Sequence, residues 1–96
     1  MGLTSKDYSW SWVTASRVLS HGPCELVYAY LVPSGEETAT ILYSGTNTYG
    51  DEIVVLESAT VTGLPFEPPV PVYCEKGLYI TIANSTTGVF VMWHDL

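Results

Sequence analysis

Apolar residues recur at every second position through most of the chain, and turn residues interrupt the pattern at roughly every eight to twelve positions. A period of two is typical of strands, whereas no window keeps the i, i+3, i+4, i+7 pattern of an amphipathic helix. The pattern predicts an all-β fold, a single small antiparallel β-sandwich of about seven strands, of the jelly-roll or immunoglobulin-like kind. The predicted strands are 10–20, 25–32, 37–44, 52–59, 70–73, 77–83 and 88–94.

The same alternation predicts which faces are buried. The last strand, 88–94, is apolar at consecutive positions, so both of its faces are apolar. Such a strand is expected either at the centre of a sandwich or against another molecule. On the other strands one face is more apolar than its opposite, and the predicted core residues are Leu26, Tyr28, Tyr30, Ala39, Ile41, Tyr43, Leu78, Ile80 and Ile82.

The N-terminal part has a different character. We predict an extended arm over residues 1–13 and a sandwich domain over 14–96. Tyr8, Trp10 and Trp12 alternate with serines, so an extended chain turns all three rings to the same side. The rings either cover the open end of the domain's own core or dock on a neighbouring subunit by strand addition. The predicted interface residues are Tyr8, Trp10, Trp12, Phe90 and Met92.

Three prolines mark the segment 67–72. Pro68, Pro69 and Pro71 lack the amide hydrogen that a sheet ladder requires, and they favour an extended, polyproline-like path. We therefore expect this segment at a sheet edge or at a crossing between sheets.

Composition narrows the range of partners. The net charge is −7, with 3 Lys and Arg against 10 Asp and Glu. Binding to nucleic acid needs clustered cations, so nucleic acid is not an expected partner, and neither is an anionic membrane. Since 47% of the residues are hydrophobic and 14% are charged, the chain is expected to fold and to leave some apolar surface exposed.

Two cysteines are present, Cys24 and Cys74, without a C-x-x-C pair. A disulfide between them requires the two strands to be neighbours. Residues 1–7 are polar and have no apolar stretch of the kind found in a secretory signal. We therefore expect reduced, buried thiols.

The sequence contains no recognisable catalytic arrangement. A metal site would have to combine His21 and His94 with the two cysteines, Cys24 and Cys74, and this spacing does not match a zinc signature. No serine lies in a G-x-S-x-G turn, and no glycine-rich loop is followed by the lysine of a phosphate-binding motif. We predict that the protein is not an enzyme and has no catalytic residues, metal or cofactor.

Carbohydrate binding is the alternative function. Small β-sandwiches often present aromatic platforms, and the rings expected to be exposed here are Tyr43, Tyr49, Trp10 and Trp12. The competing interpretation is that these rings lie in the interior or at an interface, where their large area is useful.

Several short sequence segments in the predicted strands and turns also support a resemblance. The segments are TASRVLS at 14–20, GPCEL at 22–26, TILYSG at 40–45, FEPPVPV at 66–72, KGLYI at 76–80 and GVFVMW at 88–93. Over residues 14–93 the chain resembles the small all-β virion structural proteins of tailed bacteriophages, of the capsid-decoration or head- and tail-associated type.

This resemblance implies a protein that acts by symmetric assembly on a virus particle. Its expected role is that of a capsid decoration or cement-type protein, made in the host cytoplasm and located in the virion. The implied partners are further copies of the chain, as a trimer or larger homo-oligomer, and other virion proteins. Under the carbohydrate alternative, the module belongs to a tail or fibre and binds a glycan.

Overall fold

The computed structural model describes residues 8–35 and 37–96. This part of the chain contains nine β-strands and no helix. The strands form two antiparallel sheets, which confirms the predicted β-sandwich. They are β1 (Ser9–Val13), β2 (Arg17–Ser20), β3 (Cys24–Pro33), β4 (Thr38–Ser44), β5 (Asp51–Ser58), β6 (Leu64–Phe66), β7 (Val72–Cys74), β8 (Leu78–Ile82) and β9 (Thr86–Asp95).

The first sheet has the order β1-β9-β3, with β6 and β7 paired one after the other along the far edge of β3. The second sheet has the order β2-β8-β4-β5. This is the strand order of a jelly roll in which β6 and β7 together take the place of one edge strand. No helix in the described residues is long and apolar enough to cross a membrane.

The interruption between β6 and β7 has a clear cause. The proline-containing stretch 67–71 separates the two short strands and lies beside the edge of β3, where missing amide donors cost no ladder bonds. The prediction that this segment lies at a sheet edge is therefore confirmed.

The core lies between the inner faces of the two sheets. β9 lies between β1 and β3, which is the central position expected of a strand with two apolar faces. Each fully buried Leu, Ile or Val contributes about 1.5–3 kcal/mol relative to an exposed one. The large apolar side chains with no exposed surface are Val13, Leu26, Leu31, Leu42, Leu78, Ile80, Val89 and Val91.

Two of the predicted core residues on β3 face outwards. The pairing of β3 with β9 shifts its register between Leu26 and Tyr28, which marks a bulge. A bulge adds a residue to one strand and reverses the alternation beyond it. Leu26 is buried as predicted, but Tyr28 and Tyr30 are only half-buried, and Ala29 takes the inner position.

On β4 the inner face carries Thr38 and Thr40 beside Leu42. The prediction of Ala39 and Ile41 as core residues is therefore wrong. Thr38 and Thr40 are each 1% exposed. The Thr40 hydroxyl donates a hydrogen bond to the carbonyl oxygen of Thr81, and the Thr38 hydroxyl bonds to that of Thr86. These bonds satisfy the buried hydroxyls and allow threonine in the core.

The predicted first strand, 10–20, divides into two. β1 ends at Val13 in the first sheet, and β2 begins at Arg17 in the second sheet. Of the predicted arm, Ser9–Val13 is an edge strand paired with β9, and residues 1–7 lie outside the described residues. The division of the chain at residue 13 stays a prediction.

Candidate functional site

The outer face of the first sheet carries a continuous layer of large side chains. β9 lies between β1 and β3, and the register of these three strands sets the side chains in two rows of three. One row contains Trp10, Met92 and Tyr28, and the other contains Trp12, Phe90 and Tyr30. We call this surface the aromatic face, defined as Trp10, Trp12, Tyr28, Tyr30, Phe90 and Met92.

Phe90 is the centre of the aromatic face. Its ring centroid lies 5.9 Å from that of Trp10, with 29° between the planes, and 6.1 Å from that of Tyr28, with 57° between the planes. Pairs of this kind are worth about 0.5–1.5 kcal/mol beyond the area that they bury. The contacts hold the rings in place, yet Trp10 remains 62% exposed.

Trp12 is held by a close approach to the backbone of β9. A Cβ atom added to Gly88 would collide with the Trp12 indole, so the ring lies directly over the glycine. Glycine within a strand commonly marks such an approach. Trp12 nevertheless remains 45% exposed, so the indole covers its own sheet and also presents surface to the outside.

Charged side chains lie at one end of this face. Glu25 is opposite His94 in the β3–β9 pairing, and the carboxylate Oε1 lies 3.7 Å from the imidazole Nδ1. The Tyr8 ring meets the His94 ring edge-on, with 6.0 Å between centroids and 72° between planes. On the far edge, Tyr73 is opposite Glu25 and exposed.

The structure brings together four of the five predicted interface residues. Trp10, Trp12, Phe90 and Met92 lie on the aromatic face, and Tyr8 lies at its charged end. Their role in an interface stays a prediction. Tyr28 and Tyr30 were missed because the bulge in β3 is not visible as a sequence pattern.

The outer face of the second sheet has a different composition. Ile41 is opposite Val55 on β5 and Thr81 on β8, and the next row pairs Tyr43 with Tyr79. Two carboxylates of the edge strand, Glu52 and Glu57, are exposed on either side of Val55.

The four rings proposed as a carbohydrate platform do not share one surface. Tyr43 is 7% exposed, so the expectation that it is available is wrong; its ring lies against Tyr79. Trp10 and Trp12 belong to the first sheet. Tyr49 lies in the loop between β4 and β5, is 95% exposed, and borders a cleft of about 420 Å³. The same cleft is lined by Ser44, Gly45, Thr46, Asn47, Gly50, Asp51, Glu75 and Lys76.

Metal ligands are not grouped in residues 8–35 and 37–96: no cluster of three or more His, Cys, Asp or Glu is placed to hold an ion. Cys24 and Cys74 are directly opposite each other in the pairing of β3 with β7. Both thiols are free and have no exposed surface.

No protein-family model matches the chain, and no curated protein matches it. Among solved structures, it is similar to one described as a Bacillus endospore appendage of a family of disulfide-linked pili. The match covers 92% of this chain and 76% of the other, with 18% sequence identity and a TM-score of 0.48. At this level the similarity says nothing about function, and the resemblance to bacteriophage virion proteins stays a prediction.

Proposed function

We propose that this protein is a structural subunit that assembles with copies of itself, and that the aromatic face is the surface on which the copies meet. The supporting observation is the continuity of that face, which crosses three neighbouring strands and includes a tryptophan that is 62% exposed. Monomeric proteins rarely leave a large contiguous apolar patch exposed to water. Trp, Tyr, Phe and Met are also enriched in interfaces.

Charge favours a second copy as the occupant. Two copies that each carry a net charge of −7 repel each other unless they meet where carboxylates are sparse. Near the aromatic face lie two carboxylates, that of Glu25 at one end next to His94 and that of Glu67. Burial of the Tyr28 ring, together with the charge of Glu67, raises the pKa of Tyr28. On the other sheet, Glu52 and Glu57 lie on the exposed edge strand and oppose the approach of a like-charged copy.

The proposal extends to the place of the assembly. We place the subunit in the virion of a tailed bacteriophage, as a capsid decoration protein that forms a trimer or larger ring and contacts other virion proteins. The support is the sequence resemblance together with the jelly-roll strand order, which viral capsid domains also use. The fold contributes only an analogy, since one fold serves many functions.

Light scattering across a dilution series tests the self-assembly. We expect the wild-type mass to correspond to three or more chains at high concentration and to fall on dilution. The double variant Trp10→Ser, Trp12→Ser should remain monomeric over that range. The matched control Ile41→Ser, Val55→Ser on the second sheet should assemble like the wild type. A monomeric wild type, or equal losses in both double variants, would refute the aromatic face as the interface.

Carbohydrate binding is a second candidate, favoured by the cleft beside Tyr49. This ring is 95% exposed at the border of a polar cleft that includes Asn47 and Asp51, and such a combination suits a sugar. Titration of the protein with a glycan panel, followed by calorimetry, tests it. A heat of glycan binding that disappears in the Tyr49→Ala variant but remains in the Trp10→Ala variant would support a site at the cleft. No heat with any glycan would reject it.

A further inference from the structure

We propose that Cys24 and Cys74 form a redox site, in which a small-molecule disulfide converts the two thiols into an intramolecular bond between β3 and β7. This inference is independent of the self-assembly proposed above. The observation that carries it is the register of the two strands, which sets the cysteines directly opposite each other across an antiparallel pair.

The geometry suits a disulfide. Directly opposite residues in antiparallel strands have Cα atoms about 4.5–5.5 Å apart. Disulfides span Cα separations of roughly 4.4–6.8 Å. Both cysteines lie on the inner face of the sheet without exposed surface, and the Cys74 thiol donates a hydrogen bond to the carbonyl oxygen of Val72 at 3.5 Å. The register alone therefore sets the two cysteines at a Cα separation that a disulfide can span.

The two thiols are chemically different. Hydrogen bonding by the neighbouring Cys24 thiol to the Cys74 thiolate lowers the pKa of Cys74 to about 7. The same contact, together with burial, raises the pKa of Cys24, and the Asp95 carboxylate acts in the same direction. The thiolate is the reactive form, so Cys74 is the attacking group and Cys24 the resolving one.

The position of Cys74 provides a route for the oxidant. β7 is a three-residue edge strand that begins directly after Pro71 and ends with Cys74. Short edge segments open locally at a lower free energy than the core strands. We infer that opening of β7 exposes Cys74 while the remaining strands of the first sheet stay paired.

The reaction balances with a disulfide such as oxidised glutathione as the oxidant. The Cys74 thiolate attacks one sulfur of the reagent and releases one thiolate, leaving a mixed disulfide. Cys24 then gives its proton to a released thiolate, attacks the Cys74 sulfur and expels the second thiol. The protein loses two protons and two electrons, and one reagent disulfide takes them up to become two thiols.

Mass spectrometry of the folded wild-type chain after incubation with oxidised glutathione tests the proposal. We expect a loss of about 2 Da, a Cys24–Cys74 linked peptide in a non-reducing digest, and a Tm raised by at least about 10 °C because the bond closes a long loop. Dithiothreitol should reverse all three changes. Cys24→Ser should stop at a glutathione adduct on Cys74.

Three outcomes would overturn the proposed redox site: two thiols that remain unmodified, a glutathione adduct in the wild type that is never converted into the Cys24–Cys74 bond, or a disulfide that forms only between chains. Because the decisive measurements use the wild-type protein, a variant that folds poorly does not affect the conclusion. Cys24→Ala provides a second form of the control.

Discussion

The two sheets of the sandwich have similar inner faces and very different outer ones. Inside, both present aliphatic residues to the common core. Outside, the first sheet presents five aromatic rings and a methionine across β1, β9 and β3. The second sheet presents a row with Ile41 and Val55 and one tyrosine pair, Tyr43 and Tyr79, bordered by the carboxylates of β5. The difference separates a face suited to contact with another molecule from a face suited to water.

The edges of the two sheets show the same contrast. β5 carries Asp51, Glu52 and Glu57, and charged residues on an edge strand discourage pairing with another chain. β1, at the edge of the first sheet, carries Trp10 and Trp12 between serines. Charge therefore protects one edge, while aromatic surface marks the other. The proposed assembly requires this difference between the sheets, because a sandwich with interaction surfaces on both sheets could associate into open-ended stacks.

The largest effect is expected from a carboxylate placed in the aromatic face. Met92→Glu should raise the dissociation constant of the assembly at least about 100-fold, because like charges brought together in an interface cost several kcal/mol. The matched change Val55→Glu on the second sheet should alter it less than about threefold. Sedimentation velocity measures both. Similar effects of the two substitutions would remove the distinction between the faces.

A smaller effect is expected within the monomer, at the contact that supports Trp12. Gly88→Ala should lower the free energy of unfolding by about 1–3 kcal/mol, because the new methyl group overpacks against the indole. Adding Trp12→Ala should recover part of that loss. Gly22→Ala is the control, since a Cβ there meets nothing within 4 Å. Urea denaturation gives the values, and purely additive effects would show that the indole does not lie over Gly88.

The smallest effect is expected at the charged end of the face. Glu25→Gln removes the carboxylate whose Oε1 lies 3.7 Å from Nδ1 of His94, and the two side chains are each about one-third exposed. Surface pairs are typically worth less than about 1 kcal/mol, so thermal stability should change only slightly. Glu57→Gln serves as the comparison on the second sheet. A strong effect of Glu25→Gln on assembly would move the interface towards this end.

The sequence pattern predicted the fold class, because alternation directly reports burial, and it offered a central position as one of two alternatives for β9. It failed where a local irregularity reverses that alternation, as at the bulge that turns Tyr28 and Tyr30 outwards. It also failed where hydrogen bonds make a polar inner face acceptable, as at Thr38 and Thr40. Both depend on pairing partners distant in the sequence.

The sequence pattern predicted only some of the residues of the aromatic face. Tyr8, Trp10 and Trp12 were expected on one side of an extended segment, and the two that belong to β1 do share a face. The contact of Trp10 with Phe90 depends on the pairing of β1 with β9, two strands far apart in the sequence, which no local pattern reveals. For the same reason, the sequence could not show that Cys24 and Cys74 lie opposite each other on neighbouring strands.

The central claim, that copies meet on the aromatic face, can be measured with the tryptophans themselves. The chain contains 3 Trp, so Trp93→Phe leaves Trp10 and Trp12 as the indole fluorophores. We predict that acrylamide quenches them strongly in dilute protein, and that they become protected over the concentration range in which the mass rises. A rise in mass that leaves the quenching unchanged would contradict the claim, as would a mass that stays monomeric throughout.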